Sequence, residues 1–237
     1  MVLLADCKLE AEYRCQTHLD LFKSSECVGL VTQAAAGRHL RIVELPKPAA
    51  PAIAVCLCDD DYPGWLPVAA LQTLQIAEKS YAAPMWTAAA IAAQIPNVVR
   101  FTQAAMAQDN TYLWGGTVGP NFDCSGLVQT AFAASGIRLP RDSYQQEDFV
   151  EAIALSELQA GDLLFFGQGD RPNHVALYLG DGRYIHSSGR DQGRNGIGID
   201  SITDLQDPIS HTYYQQLRGA GRVYRSYQSQ GKPMVCR

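Results

Sequence analysis

Short apolar runs divide the first 70 positions of the chain. Val, Ile, Leu and Tyr concentrate in four segments that Gly, Pro and Ser separate, as in a series of short strands. The segments are AEYRCQ (11–16), CVGLVTQA (27–34), HLRIVEL (39–45) and AIAVCLC (52–58). Strands this short, separated by turn residues, predict a small β-barrel domain over residues 1–75.

The stretch DDDYPGWLP (59–67) follows the last of these segments. Its Pro-Gly pair predicts a tight hairpin at the barrel edge. The pattern resembles the aromatic Gly-Trp hairpin of bacterial SH3-like domains. Two interpretations of Tyr62 and Trp65 stay open: they belong either to a ligand-binding hairpin or to the barrel core.

Strand alternation ends after this hairpin. Residues 76–97 are rich in Ala and contain Pro84 and Pro96, which predicts a linker. Apolar residues then recur at helical spacing, at positions 98, 99, 101, 105 and 106. This spacing predicts a helix that opens a second domain, over residues 98–237.

A second helix is predicted in NFDCSGLVQTAFAASG (121–136). Asp123 is a suitable N-cap, and Gly136 suits a left-handed C-terminal cap. Cys124 would then be the first helical residue, where free backbone N–H groups and the helix dipole favour an anion. We therefore expect this position to lower the pKa of the thiol. Four residues would form the buried face: Leu127, Val128, Ala131 and Phe132.

The third region is rich in strands, with a hairpin that carries two histidines. The predicted strands are GDLLFFG (161–167), HVALYLG (174–180) and RYIHSS (183–188). With a three-residue loop, His174 and His186 lie on one face as diagonal neighbours, about 7 Å apart at the backbone. A two-residue turn would place them on opposite faces.

Composition and charge narrow the function classes. The chain has 237 residues, 47% hydrophobic and 18% charged, which is enough for two domains with cores. The net charge is −5, and the 19 Lys and Arg residues form no basic block, so we expect no nucleic-acid partner. No apolar run approaches the roughly 18 residues of a membrane span. The start MVLLADCKLEAEYRC does not resemble a signal peptide, so we expect a soluble, cytoplasmic protein.

The cysteines suggest thiol chemistry at one position only. Their number is odd, and no C-x-x-C pair occurs, so neither a disulfide framework nor a four-thiolate zinc site is predicted. We expect six of them to be small buried hydrophobic residues. The seven are Cys7, Cys15, Cys27, Cys56, Cys58, Cys124 and Cys236.

Acyl transfer by a thiol needs a base, a group that orients the base, and donors for the oxyanion. The sequence offers a candidate for each role. Cys124 is the candidate nucleophile, His174 the base and His186 the orienting group. Tyr112, in TYLWGG before the helix, is a candidate oxyanion donor together with the backbone N–H of Cys124.

Five blocks in order resemble the NlpC-type family of cell-wall cysteine endopeptidases: YLWGG, DCSGLVQ, RDSYQQ, GDLLFF and NHVALYLGDGRYIHSS. The resemblance covers about residues 98–226 and implies an α+β chain, with a papain-like peptidase domain behind the SH3-like β-barrel. Cys124, His174, His186 and Tyr112 match the family's catalytic positions. The implied reaction is hydrolysis between D-γ-glutamate and a diamino acid in peptidoglycan stem peptides, without a metal or organic cofactor.

Substrate-binding candidates lie beside these positions. Arg141, Ser143 and Gln146 in LPRDSYQQ could bind substrate carboxylates, or the segment could be only a capped helix start with a solvated arginine. Asp123 is either an N-cap alone or also a ligand for a substrate ammonium. In related enzymes an N-terminal domain supplies polar groups to that amine, which suggests Tyr62 and Glu78 here. Such a site would favour wall-recycling fragments with a free N-terminal L-alanine.

Two other functions fit parts of the pattern. A Cys-His acyltransferase or amidase could use the same pair of residues on the same fold, since the fold does not set the acceptor. A non-catalytic protein could bind peptide through its SH3-like domain. The complete set of nucleophile, base and orienting group argues against the second alternative.

Overall fold

The structure, a computed structural model, describes residues 2–9, 11–45 and 49–234. The chain forms two compact units. The first unit comprises the chain up to Ala83, the segment Trp114–Val118 and the chain from Tyr227 onward. The second unit comprises Pro84–Leu113 and Gly119–Ser226.

The first unit is a β domain, as the sequence predicts. Its seven antiparallel strands lie in the order β3-β2-β6-β5-β4-β1-β7. Tyr13, Leu21 and Leu40 are fully buried in its core. The strands are β1 (Glu12–Cys15), β2 (Leu19–Phe22), β3 (Leu30–Ala34), β4 (His39–Glu44), β5 (Ala52–Leu57), β6 (Pro63–Pro67) and β7 (Leu74–Ile76). Strand β8 (Thr117–Val118) lies in the segment Trp114–Val118, which belongs to the same unit.

The predicted Pro-Gly turn is wrong in its position. Pro63 and Gly64 begin β6, and the chain reverses before them, around residues 58–61, where Asp61 has a left-handed φ of 56°. Proline cannot donate an N–H to the strand ladder, but it is tolerated at the first residue of a strand. Tyr62 is buried beside this turn.

The second unit packs helices with a six-stranded antiparallel sheet in the order β10-β15-β11-β12-β13-β14. Its helices are α1 (Ala88–Met106), α2 (Cys124–Ala134), α3 (Ser143–Phe149) and α4 (Pro208–Tyr214). Its strands are β9 (Asn121–Phe122), β10 (Glu151–Ile153), β11 (Leu163–Phe166), β12 (His174–Gly180), β13 (Arg183–Ser188), β14 (Gly196–Ser201) and β15 (Leu217–Arg222). The mixed helix and sheet content agrees with the α+β prediction.

Helix α1 begins inside the segment predicted as a linker. Thr87 caps its start by accepting a hydrogen bond from the Ala90 N–H at 3.2 Å, and the helix continues through Pro96. Alanine has the highest helix propensity, so the Ala-rich stretch before Pro96 is helical instead of extended. No helix in the described ranges is both long and apolar enough to cross a membrane.

The cysteines that the structure describes are free thiols, and most are buried. Cys7, Cys15, Cys56 and Cys58 are buried in the first unit, as expected for small hydrophobic residues. The prediction is wrong for Cys27, which is partly exposed. Cys236 lies outside the described residues.

Candidate active site

Cys124 is the first residue of α2, as the sequence predicts. The Asp123 carboxylate caps the helix, accepting a hydrogen bond from the Gly126 N–H at 2.6 Å. At the other end, Gly136 has the predicted left-handed φ of 82°. The Cys124 side chain is therefore held at a helix N-terminus, and only 6% of the residue is exposed.

The expected lowering of the thiol pKa is wrong in sign. Burial, followed by the negative charge of Asp123, raises the pKa of Cys124 to about 12. Hydrogen bonds with the backbone of Val175 and Ser125 oppose this rise without reversing it. A helix terminus stabilises a thiolate, but removing the sulfur from water destabilises it more. Burial at this site therefore favours the neutral thiol over the thiolate.

The two histidines lie on one face of the sheet because of a β-bulge. Gly180 pairs with Arg183, which leaves a two-residue turn, but the register shifts by one residue before Tyr178 pairs with Tyr184. The extra residue restores the register that a three-residue loop would give. Nε2 of His174 lies 2.7 Å from Nδ1 of His186.

Asp200 extends this chain of hydrogen bonds. Nε2 of His186 lies 2.6 Å from Oδ2 of Asp200, and the Arg194 guanidinium pairs with Oδ1 of the same carboxylate. His186 and Asp200 lie on neighbouring strands, β13 and β14, and both are buried. Sequence reasoning missed Asp200. The apolar-polar alternation of GIGID at 196–200 could have suggested a strand, but not its partner.

The pKa shifts in this series favour neutral His174 and His186 and an ionised Asp200. Burial, and then the neighbouring His186, lower the pKa of His174 well below its ordinary value. Burial also lowers the pKa of His186, although Asp200 opposes the shift. Burial disfavours the charged form of Asp200, but contacts with His186 and Arg194 outweigh it, so the pKa of Asp200 is lowered. At neutral pH the hydrogen-bonded series therefore consists of two neutral imidazoles, those of His174 and His186, and the Asp200 carboxylate.

Tyr213, from α4, packs against both histidines. Its ring centroid lies 4.6 Å from that of His174 and 4.8 Å from that of His186. Its hydroxyl lies 2.6 Å from Oγ of Ser188. Sequence reasoning missed this residue too, because nothing local to PISHTYY (208–214) indicates that α4 covers the histidines. The contacts with Tyr213 restrict the orientations of both imidazole rings.

Tyr112 lies in the same unit as Cys124. Burial and the charges of Cys124 and Asp123 raise the pKa of its phenol. The hydroxyl therefore keeps its proton at neutral pH and is able to donate a hydrogen bond. Its role as oxyanion donor stays a prediction.

The predicted carboxylate-binding residues form a buried network around the start of α2. Nη1 of Arg141 donates to Oδ1 of Asp123 at 3.1 Å and to Oγ of Ser125 at 2.9 Å, while Nη2 donates to Oδ2 of Asp123 at 2.6 Å. Gln146 donates from Nε2 to the carbonyl oxygens of Ser125 and Pro140, at 3.1 and 3.0 Å.

These contacts bear on both earlier interpretations of the segment. A capped helix does begin here, with Gln145 accepting a hydrogen bond from the Asp142 N–H at 3.0 Å. The alternative of a solvated arginine is wrong, because Arg141 is only 1% exposed. Ser143 is buried, and its Oγ donates to the Pro172 carbonyl at 3.3 Å. Direct binding of a substrate by these residues stays a prediction.

The two candidates from the N-terminal domain lie in the first unit, where Tyr62 is buried and Glu78 is exposed. Their contact with a substrate also stays a prediction. Within the described residues, no three or more His, Cys, Asp or Glu side chains converge as the ligands of a metal ion would.

The chain matches two families of domains. Residues 109–219 match the NlpC/P60 family, and residues 21–71 match the bacterial dipeptidyl-peptidase Sh3 domain. A gamma-D-glutamyl-L-lysine dipeptidyl-peptidase from Bacillus subtilis is 43% identical over 108 residues, which are 44% of this chain and 33% of that protein. The enzyme of the same name from Bacillus cereus is 48% identical over 80 residues, 32% of this chain and 24% of that protein.

The chain thus spans about a third or less of the length of these curated relatives. A crystal structure of an NlpC/P60 family protein from Bacillus cereus is similar over 93% of this chain and 65% of that chain, at 25% identity and a TM-score of 0.48.

Proposed function

We propose that this chain, which carries an NlpC/P60 domain at residues 109–219 behind a bacterial SH3 domain at residues 21–71, is a cysteine peptidase acting on peptidoglycan stem peptides. One observation carries the proposal. The second unit places a thiol at the start of α2 and, on its sheet, an imidazole pair hydrogen-bonded in series to the Asp200 carboxylate. These are the groups that thiol-based acyl transfer requires.

In the proposed reaction, a ring nitrogen of His174 takes the proton of Cys124 Sγ while the sulfur attacks the scissile carbonyl carbon. The C–N bond then breaks as His174 returns the proton to the leaving amine, and a thioester remains on Cys124. Water next attacks the thioester carbonyl with His174 as base. The C–S bond breaks, the carboxylic acid leaves and the thiol regains its proton.

The raised pKa of the Cys124 thiol bears on when its proton is transferred in the first step. Burial raises the pKa of Cys124 to about 12 and lowers the pKa of His174, which favours the neutral form of both groups at pH 7. We infer that proton transfer accompanies attack on the substrate, because these shifts disfavour a thiolate–imidazolium pair in the resting site. The protonated phenol of Tyr112 would donate to the developing oxyanion.

We place the scissile bond between D-γ-glutamate and a diamino acid, with a free N-terminal L-alanine before the glutamate. The names of the two relatives support this substrate: gamma-D-glutamyl-L-lysine gives the bond, and dipeptidyl-peptidase implies an unblocked amino end. Tyr62, Glu78 and Asp123 are the proposed contacts of the amine. Because Asp123 already pairs with Arg141, the amine would share that carboxylate with the guanidinium.

We also propose a place in wall recycling in the cytoplasm, since short fragments with a free amine are recycling products. The free thiols support this location, because reducing compartments preserve unpaired cysteines. The experiment compares lysine and diaminopimelate as the diamino acid.

The test is mass spectrometry of products from L-Ala-γ-D-Glu-L-Lys, its diaminopimelate counterpart and their N-acetylated forms. We expect release of L-Ala-γ-D-Glu from the free peptides. Loss of the amine contact should lower kcat/KM for the acetylated forms by roughly 10²-fold or more. The Cys124→Ala variant should release nothing, whereas Cys27→Ser, at a partly exposed cysteine, should match the wild type.

Each contrary outcome removes a distinct part of the proposal. Equal cleavage of free and acetylated peptides would exclude the amine site, and efficient digestion of intact wall sacculi would exclude the recycling role. Transfer of the acyl group to an added amine in preference to water would make the protein an acyltransferase. No cleavage of any peptide would exclude the peptidase itself.

A further inference from the structure

The hydrogen-bonded series that starts at His174 does not end at His186. It continues to Asp200 and Arg194. Asp200 accepts from both sides, with Oδ2 2.6 Å from Nε2 of His186 and Oδ1 paired with the Arg194 guanidinium. Gly198 lies directly opposite His186 on β14, and a Cβ there would collide with the guanidinium. The strand thus leaves room for Arg194 to reach the carboxylate.

The carboxylate determines where the protons of both imidazoles lie. An ionised carboxylate only accepts hydrogen bonds, so Nε2 of His186 must carry a hydrogen. In a neutral ring the other nitrogen, Nδ1, is then an acceptor. Nε2 of His174, 2.7 Å away, must donate to it. Nδ1 of His174 is left without a hydrogen, as the only ring nitrogen of that residue able to act as a base.

We propose that Asp200 is a positioning residue that selects the tautomers of His186 and His174 and so makes Nδ1 of His174 the base for Cys124, with Arg194 holding the carboxylate in place. The inference rests on the peptidase function proposed above. Burial strengthens the selection, because His186 is fully buried and Asp200 nearly so. Solvent therefore has little access to either residue as an alternative hydrogen-bond partner.

The side-chain packing fixes the ring orientations as well. The rings of His174 and His186 are nearly perpendicular, at 84°, and Tyr213 contacts both. Tyr184 packs on the other side, with its ring centroid 5.2 Å from that of His186. A ring flip that would exchange Nδ1 and Nε2 of either histidine is opposed by these contacts.

The test uses Asp200→Asn, which keeps the shape of the side chain. Arg194 offers only N–H donors, so it should bind the amide oxygen and turn the amide N–H₂ toward Nε2 of His186. Nε2 of His186 would then accept, its Nδ1 would carry the hydrogen, and Nδ1 of His174 would be protonated in turn. We expect kcat to fall on the order of 10²- to 10⁴-fold with KM changed by less than about threefold.

A second substitution separates tautomer selection from a structural role. Adding Arg194→Leu to Asp200→Asn lets the amide rotate and present its oxygen to His186. The double variant should therefore regain roughly tenfold or more in kcat over Asp200→Asn alone. If Asp200 served only as a buried ion-pair partner, removing Arg194 as well would give no gain. Asp181→Asn is the matched control, since that side chain is 93% exposed at the hairpin tip.

Nitrogen NMR of the histidine rings reads the tautomers without any substrate, so it stands even if the proposed peptidase activity fails. We expect His174 to carry its hydrogen on Nε2 in the wild-type protein and on Nδ1 in Asp200→Asn. Near-wild-type kcat in Asp200→Asn would overturn the inference, as would wild-type His174 with its hydrogen on Nδ1. Absence of peptide cleavage by the wild type, with the expected tautomers, would exclude the proposed function alone.

Discussion

Cys56 in the first unit and Cys124 in the second have thiols of nearly equal acidity. Burial raises the pKa of each to about 12. Cys56 donates to the Leu57 carbonyl at 3.6 Å and receives a hydrogen bond from Arg41 at 3.7 Å, on β5 between β4 and β6. Cys124 begins a helix in the unit that holds His174, His186 and Asp200. The acidity of the thiol therefore does not distinguish the candidate nucleophile from Cys56, whereas its place in the unit that holds the hydrogen-bonded histidine pair does.

The largest effect expected from this comparison is at the two cysteines themselves. Cys124→Ala should abolish turnover, because no other group can form the thioester, with little effect on folding. Cys56→Ala should keep near-wild-type kcat/KM and lose about 1 kcal/mol of stability, as a small buried side chain is shortened. Peptide cleavage and the urea midpoint of each variant measure the two effects. Residual turnover in Cys124→Ala beyond about 1% of wild type would contradict the assignment.

A smaller but still large contrast is expected between histidines of the two units. His174→Ala removes the base and should lower kcat by roughly 10³-fold or more. His39 also lies near a carboxylate, with Nδ1 3.2 Å from Oε2 of Glu12, but it belongs to the first unit. His39→Ala should leave kcat within about threefold of wild type. Similar losses in both variants would mean that the His174 effect is one of folding.

The orienting role of His186 predicts a graded loss. In His186→Gln the amide oxygen can still accept from Nε2 of His174, whereas His186→Ala leaves that donor buried without a partner. We expect His186→Gln to keep at least about tenfold more kcat than His186→Ala. Equal losses in the two variants, measured with the same peptide, would exclude an orienting role.

The last contrast expected is between the alkylation of the two buried thiols as the pH changes. Below a thiol pKa of about 12, the thiolate fraction of Cys124 rises about tenfold per pH unit. Iodoacetamide labelling of Cys124 in a Cys27→Ser background should follow this slope from pH 7 to 9. Fully buried Cys56 should stay unlabelled until the protein unfolds. A plateau in the Cys124 rate would show a preformed thiolate–imidazolium pair instead.

Much of the second unit could be predicted from local signals. Asp123 and Gly136 mark the ends of α2 through a side-chain cap and a left-handed backbone, and both act within one turn of the helix. The strands around His174 and His186 follow from alternating apolar residues. The local signals did not decide whether the two histidines share a face of the sheet, because that depends on one bulged residue in the hairpin. A bulge has no strong sequence signature, so both loop lengths remained open.

The sequence by itself determined that Cys124 begins a helix, which strands carry the histidines and that the chain is α+β. Capping and periodicity act over a few residues, so they can be read directly. The tertiary structure alone decided that Asp200 meets His186, that Arg141 pairs with Asp123 and that the pKa of Cys124 rises. Each of these depends on burial and on partners distant along the chain, and the desolvation of a group is set only once the surrounding elements have packed.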